Sequence, residues 1–159
     1  MFDFFGKKSD PYIYAPVNGQ MIDISGVSDA TFAQKLLGDG VAFTVKDDKA
    51  VVYAPVGGKL ETLFPTGHAF GIQMNNGVSV LVHIGVNTVE ANGYGFHALA
   101  KKQGDKVKAG DPIVEVGFKA LRETYDMSVM LVILDSAEHA ISFGAPKDVA
   151  QGMQVATIA

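Results

Sequence analysis

The chain contains no cysteine, which excludes disulfide staples, thiolate metal sites and a cysteine nucleophile, and suits a reducing compartment. It has no surplus of positive charge: 13 lysines and arginines stand against 17 aspartates and glutamates, for a net charge of −4. A phosphate backbone would meet no basic surface, so nucleic acid is not an expected partner. No apolar run reaches the length of a membrane span. The opening "MFDFFGKKSDP" is apolar and then basic but too short for a signal peptide. It reads as a flexible N-terminal segment over residues 1–11 that could touch a membrane surface weakly. No linker or low-complexity stretch divides residues 12–159, which read as a single domain.

What is present is a globular composition, 48% hydrophobic and 19% charged over 159 residues, enough for one real core. Tyr14-Ala15-Pro16-Val17-Asn18-Gly19 recurs as Tyr53-Ala54-Pro55-Val56-Gly57-Gly58. Each copy approaches as a strand, meets a proline that an interior strand would not tolerate, and turns at a glycine. A third relative, "GDKVKAGDPIVEV" (104–116), leads from a turn into an alternating run. Short β-branched runs such as "VAFTV", "VSVLVHIGV" and "VMLVIL" are bounded by turn residues. The expected fold is all-β, an antiparallel β-sandwich or barrel of duplicated hairpin units with a few short helices. "SDATFAQKLLGDG" offers one of those helices, with Ser28 as N-cap and Gly38 as stop. "GFHALAKKQG" and "APKDVAQG" are single-turn helix candidates.

Two histidines stand in apolar company, His68 in "TGHAFGI" and His83 in "VLVHIGV". Between them Asn76-Gly77 is a strong two-residue hairpin signal. That turn would oppose Phe70 to His83 and His68 to Gly85, placing His68, Phe70, Ile72, Leu81 and His83 on one face. Val78, Val80, Val82, Ile84 and Val86, with Ala69 and Gly71, would form the core face. The histidines would then be diagonal neighbours about 7 Å apart at the backbone, within reach of long side chains. A three-residue loop would shift this register by one residue.

Three chemistries could use such a pair. Imidazoles bind zinc, but two give only a half-site, which a partner would have to complete. General acid–base work would need a nucleophile–base–orienter chain; Thr66 is near in sequence, but no such chain is evident. Nucleophilic catalysis by imidazole needs one neutral ring with an outward nitrogen, a donor beside it and an apolar rim for a docking protein. His83 as nucleophile, His68 as donor, and Phe70, Leu81 and Ile72 as rim would supply these, with Thr66 orienting a ring.

The ordered set "TGHAFGI", "VLVHIGVNTVE", "FAQKLLGDGVAF", "YAPVGG" and "GDKVKAGDPI" resembles the glucose-type enzyme IIA family of the bacterial phosphoenolpyruvate:sugar phosphotransferase system, over about residues 12–158. The fifteen-residue step from His68 to His83 matches the family spacing. The resemblance implies a small antiparallel β-sandwich with a shallow active depression. It implies a cytoplasmic phosphotransferase component with a phosphohistidine intermediate, able to lie peripherally at the inner face of the membrane. Its phosphoryl group would come from the histidine-containing phosphocarrier protein and pass to a cysteine of a IIB domain of a sugar permease. By position, His83 would be phosphorylated, His68 would support it and Thr66 would hydrogen-bond within the site. Phe32, Leu36, Leu37, Phe70 and Leu81 would form the docking surface, with Asp29 on its acidic edge. No cofactor is implied beyond the covalently carried phosphoryl group, apart from zinc completed by a partner.

Two positions depart from the family, Asn87 where aspartate is usual and Gln34 where an acid is frequent. Both remove negative charge where a basic phosphocarrier would dock, which acts mainly on association rate. Competing patterns fit less well. Lys49 in "DKA" resembles a lipoyl lysine, but the glycine-aspartate segment follows it instead of preceding it. The ligand spacing of lysostaphin-type zinc peptidases is absent, since Ile72 and Gly85 stand where ligands would be. His97 and His139 read as surface residues. The same histidine face would also serve a partner-binding or regulatory module that is never phosphorylated.

Overall fold

The two Tyr-Ala-Pro-Val copies bind each other. In the computed structural model, which describes residues 9–159, Tyr14 N–H donates to the Pro55 carbonyl and Tyr53 N–H to the Pro16 carbonyl, each at 2.9 Å. This reciprocal exchange is the signature of a pseudo-twofold. The strands that follow obey it: β1 (Tyr12–Tyr14), β2 (Gly19–Asp23) and β3 (Gly40–Thr44) in one copy, β4 (Ala50–Tyr53), β5 (Gly58–Leu63) and β6 (Ala69–Gln73) in the other. The second copy continues through β7 (Ser79–Ile84), β8 (Phe96–Ala98), β9 (Lys106–Val107) and β10 (Pro112–Val116). The first is completed by β11 (Val129–Asp135), β12 (Ile141–Phe143), β13 (Lys147–Val149) and β14 (Gln154–Ile158).

An eight-stranded antiparallel sheet has the order β13-β2-β3-β11-β7-β6-β5-β9, and two three-stranded sheets have the orders β1-β14-β12 and β4-β10-β8. Reading outward from the β11–β7 pair, each half repeats the other. The expected all-β architecture of duplicated hairpins is therefore what forms. The counterpart of "GDKVKAGDPIVEV", which supplies β9 and β10, is β13 with β14. Gly110 N–H donates to Ala54 O and Gly152 N–H to Ala15 O, at 2.8 and 3.0 Å.

The main core takes Phe70, Ile72, Val80, Val82, Ile84, Val129 and Leu131 from one face of the large sheet, with Ile13, Val52, Ile113 and Val114 from the small ones. The other face of the large sheet is treated differently in the two halves. Between β2 and β3, residues 24–39 fold into a 3-10 turn and the helix α1 (Ala30–Ala33). Ile24, Val27 and Phe32 from this connection cover Ala42, Val86, Met130 and Val132. The equivalent connection between β5 and β6, residues 64–68, is too short to cover anything. One half of the outer face is thus roofed and the other left open, and the boundary between them holds the histidines.

Helix details differ from expectation. Asp29, not Ser28, caps α1: its Oδ1 accepts from Thr31 N–H at 2.7 Å, whereas Ser28 Oγ donates to Asp126. The helix ends well before Gly38 because Lys35 is already left-handed, at φ 58°. The two single-turn helix candidates are the edge strands β8 and β13, while the true second helix, α2 (Phe118–Arg122), was not anticipated. The expected N-terminal segment falls mostly on residues 1–8, outside the described residues.

Leu131 is fully buried and pairs with Val82 at the seam of the two halves. Leu131→Ala should cost about 2–5 kcal/mol of stability. Leu134→Ala, at a side chain 46% exposed, should stay within about 0.5 kcal/mol. Urea unfolding of both variants checks the contrast.

Candidate active site

The β6–β7 hairpin closes with a three-residue loop, Asn75-Asn76-Gly77. Met74 N–H donates to Val78 O at 2.8 Å, Val78 N–H is held by Asn76 Oδ1 at 3.0 Å, and Gly77 takes φ 91°. A glycine in the left-handed region is what such a loop requires. The register therefore differs by one from the two-residue expectation: Ala69 opposes His83, Phe70 opposes Val82 and Gly71 opposes Leu81. Phe70 and Ile72, expected on the docking rim, are instead buried in the main core, at 0% and 2% exposure. Ala69 and Gly71 take their place on the outer face with Leu81 and His83.

The histidines meet even so. His68 precedes the first residue of β6 and follows Gly67, whose φ is 79°, so strand alternation does not bind its side chain. The His68 and His83 ring centroids lie 5.1 Å apart at 77°. Phe64 stands edge-on to His68 at 5.0 Å, and Phe32 packs on His83 at 5.0 Å. Phe64, His68, His83 and Phe32 thus form a row of rings, two from the short connection, one from β7 and one from the roof. The half-buried His83 lies in this row beside the almost fully buried His68.

His83 Nδ1 is 2.8 Å from the Gly85 carbonyl. A carbonyl only accepts, so Nδ1 carries the proton and Nε2 keeps its lone pair. No group of the described residues hydrogen-bonds Nε2. Gly85 has φ 81°, and a Cβ there would lie 2.4 Å from Thr88 Cγ2 and 2.8 Å from Met127 Sδ. Only glycine gives this turn its shape. Thr66 Oγ1 lies 2.5 Å from His68 Nδ1; with the hydroxyl donating, Nδ1 accepts and the neutral ring carries its proton on Nε2.

Burial lowers both basicities. His68 is depressed from 6.5 to about 4, first by desolvation and then by the charge of His83. His83 is also lowered by desolvation, against the opposing effects of its Gly85 hydrogen bond and of Asp29. Both rings are therefore neutral at pH 7, and His83 is a neutral imidazole with an unprotonated Nε2.

Of the residues proposed from sequence, Thr66, His68, His83, Phe32, Leu81 and Asp29 come together here. Leu36 and Leu37 are exposed, at 69% and 42%, just beyond α1. Phe70 and Ile72 are the exceptions, both buried in the main core. Phe64, the Gly85 carbonyl and Thr88 were missed. Phe64 stood next to a Pro65-Thr66-Gly67 turn, and Gly85 and Thr88 stood in the segment following His83, but backbone acceptors carry no sequence signal. Asn87 is exposed and left-handed at φ 61°, a conformation that suits asparagine and aspartate alike. Among the described residues no three His, Cys, Asp or Glu side chains converge on a metal-sized site. No helix of the described residues is long and apolar enough to cross a membrane.

Residues 11–139 match the model of the family described as phosphoenolpyruvate-dependent sugar phosphotransferase system, EIIA 1. The chain belongs to this family. It is 42% identical over 131 residues to the PTS system glucose-specific EIIA component of Halalkalibacterium halodurans, covering 82% of this chain and 74% of that one. It is 35% identical to the glucose-specific EIIA component of Staphylococcus aureus, over 87% of this chain and 84% of that one. A glucoside-specific EIICBA component of Staphylococcus carnosus is 37% identical over 80% of this chain but only 18% of its own length. The solved glucose permease IIA of Mycoplasma capricolum superposes with TM-score 0.85 at 36% identity, covering 96% of this chain and 97% of that one. Membership of this EIIA family means a role in phosphoryl transfer within the phosphotransferase system, on the β-sandwich that the sequence implied.

The depressed His68 sets a pH dependence. Its folded value near 4 lies below the unfolded 6.5, so the unfolded chain binds more protons between these values. Stability should be fully present above pH 6.5 and fall as pH drops toward 4, with His83 acting in the same direction. Urea midpoints at pH 7 and pH 5 should differ more for the wild type than for His68→Gln. Proton NMR should show no His68 titration between pH 5 and 8, whereas a midpoint near 6.5 would contradict the assignment.

Proposed function

We propose that the chain is a phosphoryl shuttle in which His83 Nε2 takes a phosphoryl group from a histidine-containing phosphocarrier and passes it to a cysteine of a sugar-permease IIB domain. The carrying observation is the Nδ1–H bond to Gly85 O, which leaves a neutral Nε2 lone pair on a ring that stands beside a second imidazole. In the first step the N–P bond of the donor breaks as the Nε2–P bond forms. The Nδ1 proton stays where it is, and the positive character that the ring gains is stabilised by the Gly85 carbonyl and by Asp29. With Thr66 donating to His68 Nδ1, the His68 Nε2–H donates to a phosphoryl oxygen. In the second step a thiolate sulfur attacks phosphorus, the S–P bond forms and the Nε2–P bond breaks, returning neutral His83.

The 159 residues hold no cysteine, so the acceptor thiol is not among them. The EIICBA relative, by its name, combines C, B and A parts in one chain, which supports the pairing of an A unit with a B unit. Phe32, Phe64, Leu36, Leu37 and Leu81 would form the docking rim and exclude water, with Asp29 at its edge. Zinc would need its remaining ligands from a partner.

His83→Ala should abolish phosphoryl acceptance from the charged phosphocarrier. His68→Gln, which keeps a donor, should accept but pass phosphate to IIB at least tenfold more slowly; unimpaired onward transfer would refute the supporting role. Asn87→Asp should speed acceptance more at low than at high salt, and equal effects would count against electrostatic steering.

A further inference from the structure

The nucleophile's tautomer depends on one carbonyl, and that carbonyl lies in a turn whose own polar groups must be satisfied. On the N–H side the turn is tied to the segment entering β11: Gly85 N–H donates to Ser128 O and Val86 N–H to Asp126 O, each at 2.8 Å. On the carbonyl side two acceptors sit side by side, Ile84 O and Gly85 O. Thr88 is fully buried, at 0% exposure, so water does not satisfy its hydroxyl and it must donate within the protein. Its Oγ1 lies 2.5 Å from Ile84 O and 3.5 Å from Gly85 O. The hydroxyl therefore satisfies Ile84 and leaves the Gly85 carbonyl to His83 Nδ1–H. The other branch of the same side chain, Cγ2, occupies the space where a Cβ on residue 85 would stand, and so closes the turn sterically.

We infer that Thr88 is a positioning residue that fixes, through the Gly85 carbonyl, which nitrogen of His83 carries the proton and which is free to attack. Were the ring to adopt the other tautomer, the Nδ1 lone pair would face a carbonyl lone pair, and Nε2 would be protonated and unreactive. Thr88 touches neither substrate nor the reacting atoms; it acts by holding the turn that aims the Gly85 carbonyl, through its bond to Ile84 O and the packing of Cγ2 against Gly85. This inference rests on His83 being the phosphoryl acceptor, but the tautomer it concerns exists in the unphosphorylated protein and is read there.

The test uses Thr88→Val, which keeps the shape and removes the hydroxyl, and Thr88→Ser, which keeps the hydroxyl and removes the methyl. Long-range proton–nitrogen NMR correlations read the His83 tautomer directly, and a single-turnover assay with charged phosphocarrier reads acceptance. The wild type should be almost wholly Nδ1–H. Thr88→Val should mix the tautomers and slow acceptance about tenfold, the scale of lost outer-sphere orientation, and Thr88→Ser should recover much of both. A folded Thr88→Val with an unchanged tautomer and rate would overturn the inference. Should the valine variant not fold, the wild type still decides: a slowly exchanging Thr88 hydroxyl proton supports the inference, and a rapidly exchanging one overturns it. Failure of the shuttle reading looks different, since wild-type protein would then accept no phosphate while the tautomer still shifted in the variant.

Discussion

The hydrogen bond from His83 Nδ1 to the Gly85 carbonyl is the constraint on which the site depends. An imidazole in solution exchanges its two tautomers and titrates near neutrality, so either nitrogen can be blocked. Here the bond fixes the proton on one nitrogen, and desolvation holds the ring below its ordinary basicity. In the proposed shuttle no general base is needed, because no proton has to leave for Nε2 to attack. The left-handed turn at Gly85 and the buried Thr88 exist around that bond. The tie to β11 makes the turn part of the sheet and not a free loop.

The duplicated fold places the histidine pair at the boundary between a covered and an uncovered half of the outer face. Two halves meet along β7 and β11, and their shared inner face is closed by the small sheets. On the outer face the connection over residues 24–39 roofs one half, while the connection over residues 64–68 leaves the other open. The roof contributes Asp29 and Phe32; the short connection contributes Phe64, Thr66 and His68; β7 contributes His83. A symmetric pair of halves would have had two roofs or none. The asymmetry of one connection leaves the histidine pair between exposed or half-buried apolar side chains, Phe64, Leu36, Leu37 and Leu81, and apolar side chains of this kind suit the core of a docking surface.

Much of this was legible from the residues. The β-branched runs, the doubled Tyr-Ala-Pro-Val motif and the histidine spacing pointed to the fold and the pair. The register of the hairpin was not legible, because Asn76-Gly77 closes two-residue and three-residue loops alike, and one residue of slip exchanges faces. That slip moved Phe70 and Ile72 into the core. The histidine pair survived it only because His68 lies before β6, beyond the reach of alternation. Phe32, Leu36 and Leu37 fit a helical period that would carry α1 on to Gly38, but the left-handed Lys35 stops the helix first. The Gly85 carbonyl and Thr88 could not be read at all, since what they do depends on backbone direction.

The most direct test is to phosphorylate the wild-type protein from a phosphoenolpyruvate-driven phosphocarrier and locate the phosphate by phosphorus and nitrogen NMR at alkaline pH. The expected result is one acid-labile phosphate on Nε2 of His83, with the Nδ1 proton still bonded to Gly85. Phosphate on Nδ1 or on His68, or none at all from a demonstrably charged phosphocarrier, would contradict it.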